Sequence, residues 1–209
     1  MAFNVASLRL CLVTDRGLAA GRSVIDVALA AVRGGATMVQ LREKNATTRA
    51  FVEEARALKA ALVPLGVPLA INDRLDVALA VDADGLHVGQ DDMPVEAARR
   101  LLGPGAFIGL SITAVEQALR PDAAAADYLG VGPIYAQQTK VDAAAPLGLD
   151  GLRRIRGLTG KPVVAIGGLT PDNSAPALAA GADGLAVVSA IVAAADPEAA
   201  ARRFISLFG

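Results

Sequence analysis

Short apolar runs rich in Val, Ile and Leu alternate along this chain with longer Ala- and Leu-rich stretches whose charged residues recur at helical spacing. That alternation predicts a parallel sheet joined by crossover helices. Strands are predicted at 10–13, 37–42, 69–71, 85–88, 106–110, 128–131, 162–166 and 184–188. The first helix is predicted at 23–33, with Ser23 as N-cap and Gly34-Gly35 as stop. Others follow at 47–63, 75–81, from Pro94 as first helical residue to Leu102, 113–119, 149–158, and from near Pro171 to Gly181. Two pieces divided by Asp196-Pro197 end the chain. Eight such units in 209 residues match a (β/α)₈ TIM barrel, read as one domain over 1–209 because no linker or low-complexity tract interrupts it. The alternative is an open doubly wound sheet. That fold usually carries a glycine-rich turn after its first strand, where this chain has Asp15-Arg16-Gly17.

The second strand has the most informative pattern, Met38-Val39-Gln40-Leu41-Arg42-Glu43-Lys44. Alternation puts Val39 and Leu41 on one face and Gln40, Arg42 and Lys44 on the other. A strand between two apolar helices is buried on both faces, and desolvating Arg and Lys there is costly unless an anion meets them. Pairing with Glu43 is the plainer reading, but Glu43 falls on the opposite face. The pattern predicts an anion pocket at this strand's C-terminal end.

Charge and composition narrow the partners. Twenty Lys and Arg against 21 Asp and Glu give a net charge of −1 with no basic stripe, and aromatics are 3%. Both argue against nucleic acid. No apolar run approaches the ~20 residues of a membrane span, and Met1-Ala2-Phe3-Asn4 lacks the features of a leader, so a cytoplasmic protein is expected. Cys11 is the only cysteine and His87 the only histidine. Each lies in an apolar strand and reads as buried and structural, which argues against triad chemistry and zinc. The Ala-rich outer helices leave self-association open.

A barrel gathers its chemistry at the C-terminal ends of its strands. Those ends carry Arg42 and Lys44, Asn72-Asp73, Gln90-Asp91-Asp92, Ser111, Thr139-Lys140, Gly167-Gly168 and Val188-Ser189. Asp73 and Asp92 follow adjacent strands, and two oxygen donors without His or Cys suit Mg²⁺. Each Asp alone also suits a helix cap. The Gly167-Gly168 pair with Val188-Ser189 occupies the usual phosphate cup of this fold, and a tight turn is the alternative. The loop over 132–147 is long for a connection. Its Lys140 is either a lid over a diphosphate or a solvated lysine. A metal-plus-basic cluster and a backbone cup together suit one diphosphate and one monophosphate substrate.

With these motifs in view, nearly the whole chain resembles the thiamine-phosphate synthase family, a (β/α)₈ barrel. The resemblance is carried by Gln40 to Lys44, Ile71-Asn72-Asp73, His87 to Asp92, Gly109-Leu110-Ser111, Gly132-Pro133-Ile134, Thr139-Lys140, Ala165 to Gly168 and Val188-Ser189. It implies a transferase joining a hydroxymethylpyrimidine diphosphate to a thiazole monophosphate, with Mg²⁺ as cofactor and pyrophosphate released. It further implies that Gln40, Leu41, Arg42, Glu43, Lys44 and Asn72 hold the pyrimidine diphosphate, with Ser111 and Lys140. Arg42, Lys44, Ser111 and Lys140 are the implied catalytic set, and Asp73 and Asp92 the implied metal ligands. Gly168, Val188 and Ser189 are implied for the thiazole phosphate, together with Gln137, Gln138 and Thr139. The family usually shows Phe-Pro-Thr-x-Thr-Lys where this chain reads Tyr135-Ala136-Gln137-Gln138-Thr139-Lys140, so Gln137 replaces a threonine. Two other readings stand: a thiazole tautomerase of the related barrel family, and a non-catalytic phosphate-binding barrel. Lys140→Ala is expected to slow pyrophosphate departure by about a hundredfold in single turnover. An unchanged rate would make Lys140 a bystander.

Overall fold

The computed structural model describes residues 4–136 and 146–209. Eight parallel strands pair in sequence order, and the eighth hydrogen-bonds back to the first, so the sheet is a closed barrel. The open-sheet alternative is thereby excluded. The strands are β1 (Leu10–Val13), β2 (Met38–Leu41), β3 (Leu69–Asn72), β4 (Gly85–Val88), β5 (Phe107–Ile112), β6 (Tyr128–Val131), β7 (Val163–Ile166) and β8 (Gly184–Val187). Between and after them run α1 (Val24–Arg33), α2 (Thr48–Leu62), α3 (Leu75–Ala80), α4 (Val95–Leu102), α5 (Pro121–Ala125), α6 (Gly148–Leu158), α7 (Ala175–Ala179), α8 (Ser189–Val192) and α9 (Pro197–Ile205). Among the described residues no helix is long and apolar enough to cross a membrane.

Local chemistry explains most boundaries. Ser23, Thr47 and Asp196 each accept a backbone N–H in the first turn of α1, α2 and α9. Pro94 stands one residue before α4 rather than inside it, and the first amide, Val95 N–H, is taken by Asp122. The helix expected from Pro171 is confined to α7. Over 170–174 the side chains of Asn173 and Ser174 bond the backbone of Thr170 and hold a turn instead. The stretch expected as a helix at 113–119 is a 3₁₀ segment, Val115–Leu119, and Pro121 then starts α5, which the pattern did not reveal.

Alternation along the strands makes two separate cores. Leu10, Leu12, Val39, Leu41, Leu69, Ile71, Leu86, Val88, Leu129 and Leu185 face outward under the helices. Cys11, Val13, Met38, Ala70, Phe107, Tyr128, Val164 and Ala186 fill the barrel interior. Burial pushes the Cys11 thiol up to about 12, so it is the inert interior thiol expected. The large interior rings fit because their neighbours have no side chain. A Cβ on Gly85 would stand 2.3 Å from the Phe107 ring, and one on Gly109 would stand 2.2 Å from Tyr128 and 2.5 Å from His87. Gly109→Ala is therefore expected to destabilise the fold by about 2–3 kcal/mol in chemical denaturation, because Tyr128 is enclosed on all sides. An unchanged midpoint would show that the interior can relax.

Candidate active site

A cavity of about 470 Å³ opens at the C-terminal ends of the strands, lined from Val13 and Asp15 at the end of β1 round to Val188 after β8. The same alternation that fills the lower barrel with apolar groups places Gln40, Asn72, His87 and Ser111 above them as the cavity floor.

The floor is cross-linked. Gln40 Nε2 donates to Asn72 Oδ1 at 2.6 Å, joining β2 to β3. His87 Nδ1 lies 2.8 Å from the Tyr128 hydroxyl and Nε2 lies 2.9 Å from Ser111 Oγ. Burial pushes His87 down to about 4, against the opposing pull of Asp92, so the ring is neutral near pH 7. A neutral imidazole has one N–H, so it donates one of these bonds and accepts the other. Gln90 Nε2 donates to the Ser111 carbonyl at 2.7 Å and fixes that strand end further.

The basic wall comes from β2. The strand stops at Leu41, yet Arg42 and Lys44 keep the inward direction of Gln40 and both line the cavity. Thr14 Oγ1 accepts the Arg42 N–H at 2.9 Å and pins this segment to β1. Arg42 Nη1 reaches Asp15 Oδ2 at only 3.4 Å, a partner the sequence reading missed. Proximity of Asp15 to a strand end was the available signal.

Leu41 and Glu43, expected in the substrate-contact set, turn their side chains away from the cavity. The Leu41 side chain is fully buried in the outer core, because alternation turns it toward the helices. Glu43 turns away as well and takes Arg16 at 2.6 Å, while Arg16 also grips both oxygens of Glu54 at 2.7 Å.

The acidic pair does converge. The carboxylates of Asp73 and Asp92 are close enough to interact, and both line the cavity. Neither caps a helix: the N-cap positions of α3 and α4 are Arg74 and Pro94, and Asp92 Oδ2 instead accepts the Gly89 N–H at 2.7 Å. Asp73 has a left-handed backbone, φ 62°, and its N–H donates to the His87 carbonyl at 2.8 Å. Burial, and then the Asp92 charge, push Asp73 up to about 6, while Lys44 and Arg42 pull the other way. Asp91 also lines the cavity. Among the described residues, no group of three or more His, Cys, Asp and Glu is placed to hold a metal. Two carboxylates suit a hard divalent cation that keeps waters and takes oxygens from its substrate.

On the far wall, Gly167 and Val188 line the cavity, while Gly168 and Ser189 lie outside its lining. Both glycines are left-handed, with φ of 97° and 67°. Arg22 holds the short α8 from behind, donating to the carbonyls of Ala19, Val192 and Ala194 at 3.0, 2.5 and 2.7 Å. Gln137, Gln138, Thr139 and Lys140 lie outside the described residues.

The family model described as thiamine monophosphate synthase matches residues 10–191. A thiamine-phosphate synthase of Chloroflexus aurantiacus is 57% identical over 204 residues, 98% of this chain and 94% of that protein. One of Albidiferax ferrireducens is 56% identical, over 98% and 93%. The solved thiamine phosphate pyrophosphorylase of Pyrococcus furiosus superposes with a TM-score of 0.89 at 38% identity, covering 97% of this chain and 96% of that one.

A carboxyl raised from 3.8 to about 6 by folding keeps its proton longer in the folded state than in the unfolded one. The cation-free fold therefore loses stability as pH rises from about 4 to about 6. Asp73→Asn is expected to raise the cation-free melting temperature at pH 7.5 by about 2–4 °C, a gain of about 1 kcal/mol for this partly exposed group. The gain should fade toward pH 4, and added Mg²⁺ should stabilise the wild type alone. A lower melting temperature at pH 7.5 would show that Asp73 is not under repulsion.

Proposed function

This chain belongs to the thiamine monophosphate synthase family, and from that premise we propose what its barrel mouth does. It joins the methylene carbon of an aminopyrimidine diphosphate to the ring nitrogen of a thiazole monophosphate, giving thiamine phosphate and pyrophosphate. The observation that carries this reading is the placing of an acidic pair, Asp73 and Asp92, and a basic pair, Arg42 and Lys44, around one cavity over a polar floor.

The floor suits the pyrimidine. Because Gln40 spends an N–H on Asn72, the Gln40 carbonyl and the Asn72 amide group remain for a ligand. One acceptor and one donor side by side complement the exocyclic amine and adjacent ring nitrogen of an aminopyrimidine. The diphosphate then extends toward Arg42 and Lys44. The acidic pair fits Mg²⁺, being hard oxygen donors with neither thiol nor free imidazole beside them. Mg²⁺ bound by Asp73 and Asp92 would supply charge neutralisation to the departing pyrophosphate.

Arg42 and Lys44 stabilise the same charge from the other side. Arg42 is available because its 3.4 Å pairing with Asp15 is loose. Loss of pyrophosphate leaves a methylene cation that the electron-rich aminopyrimidine delocalises, above neutral His87 and Ser111. The thiazole nitrogen attacks that carbon, held close by its phosphate in the Gly167-Gly168 and Val188-Ser189 cup. No protein nucleophile enters, in keeping with the buried, inert Cys11. The tautomerase reading needs a base, and His87 serves it poorly: the ring is buried and both nitrogens are engaged.

Pyrophosphate release measured with both substrates and with each alone tests the proposal. Release is expected only with both. Release without the thiazole would make the chain a hydrolase, and binding without release would make it a non-catalytic barrel. Asp92→Asn is expected to lower kcat/KM by about a hundredfold at limiting Mg²⁺; wild-type turnover there would remove the metal assignment.

A further inference from the structure

Beyond the acidic and basic walls, the cup turn is tied to a residue that the reaction itself does not use. After β6 the chain runs beside the end of β7: Ile134 N–H donates to the Ile166 carbonyl at 2.9 Å, and Tyr135 N–H to the Gly167 carbonyl at 3.0 Å. The Tyr135 side chain then crosses the turn after β7, and its hydroxyl donates to the Asn173 carbonyl at 2.9 Å. Asn173 binds that turn to itself. Its Nδ2 donates to the Gly168 carbonyl at 2.9 Å, and its Oδ1 accepts the Thr170 N–H at 2.7 Å.

The contact between the two segments is tight. A Cβ on Gly168 would stand 2.7 Å from the Tyr135 Cβ and 2.8 Å from the Ala136 carbonyl oxygen. Gly168 is also left-handed, so its peptide orientation depends on what holds the turn from 168 to 173. Tyr135 and Asn173 brace opposite sides of that turn, and neither lines the cavity.

We propose that Tyr135 and Asn173 are positioning residues for the monophosphate substrate, acting through the backbone of Gly167 and Gly168. The hydroxyl-to-carbonyl bond fixes the outer end of the turn, and the Asn173 amide fixes the Gly168 peptide. Together they set the amide groups at the spacing that one phosphate requires. A turn released at either point would still fold but would sample other peptide orientations, and the cost would fall on binding of the monophosphate. This inference rests on the cup assignment made under the proposed function.

Initial-rate kinetics of Tyr135→Phe, varying each substrate in turn, test it. The variant retains the ring packing and loses one neutral hydrogen bond. KM for the thiazole monophosphate is expected to rise about three- to tenfold, with KM for the pyrimidine diphosphate within about twofold of wild type. Asn173→Asp, which keeps the acceptor for Thr170 but loses the donor to Gly168 and adds a negative charge near the cup, is expected to raise the same KM further. If both KM values rise together with a lowered melting temperature, or neither moves, the positioning role is overturned. Gly168→Ala separates the two levels of the argument. If it leaves the monophosphate KM unchanged, the cup assignment fails. If it raises that KM while Tyr135→Phe does not, only the bracing role fails.

Discussion

Closure of the sheet governs everything else in this molecule. Because each strand is hydrogen-bonded on both edges, alternate side chains have two destinations, the helix layer or the barrel interior. The interior is narrow. Phe107 and Tyr128 occupy its lower half, next to Gly85 and Gly109, which supply no side chain. Above those rings, positions with the same inward direction carry Gln40, Asn72, His87 and Ser111. One geometric rule thus makes both the core and the floor of the cavity, and the floor inherits the rigidity of the packed rings beneath it through the Tyr128–His87 bond.

The charged groups divide into two kinds. Arg16 is satisfied by two glutamates at short range and serves as a clasp between the loop after β1, the segment after β2 and helix α2. Arg42 and Lys44, on either side of Glu43, face the cavity, and among the described residues Arg42 has an ion pair only with Asp15, at 3.4 Å. Across from them Asp73 and Asp92 repel one another at a cost to the cation-free fold. Arg42 and Lys44 offset part of that repulsion from across the cavity. A stability cost confined to a cavity wall is what a site built for ligands shows.

The supporting residues explain how loops keep such geometry. Thr14 bonds the Arg42 amide, Arg22 takes two carbonyls at the end of α8, and Asn173 folds the turn after β7 upon itself. Each acts on backbone and none is apolar. Loops have little core of their own, so hydrogen bonds to side chains replace packing as the source of order.

The pattern of apolar and polar positions alone determined the eight strands, most of the helices and therefore the barrel, because strand and helix periods are local properties of the chain. It also determined which strand ends bear ionisable groups, and the resemblance added the substrates those groups suit. What it left undecided was distance and direction. Asp73 and Asp92 each suit a helix cap when read alone; only the packed structure shows the two side chains close together at the cavity, with neither capping the helix that follows it. Leu41 and Glu43 lie in the same motif as Gln40 and Arg42, yet alternation turns them away. Asp15, Tyr135 and Asn173 acquire their partners from segments 27 to 38 residues away, and no local pattern encodes such a contact. Sequence fixes which groups a segment offers, whereas closure of the barrel fixes which of them meet.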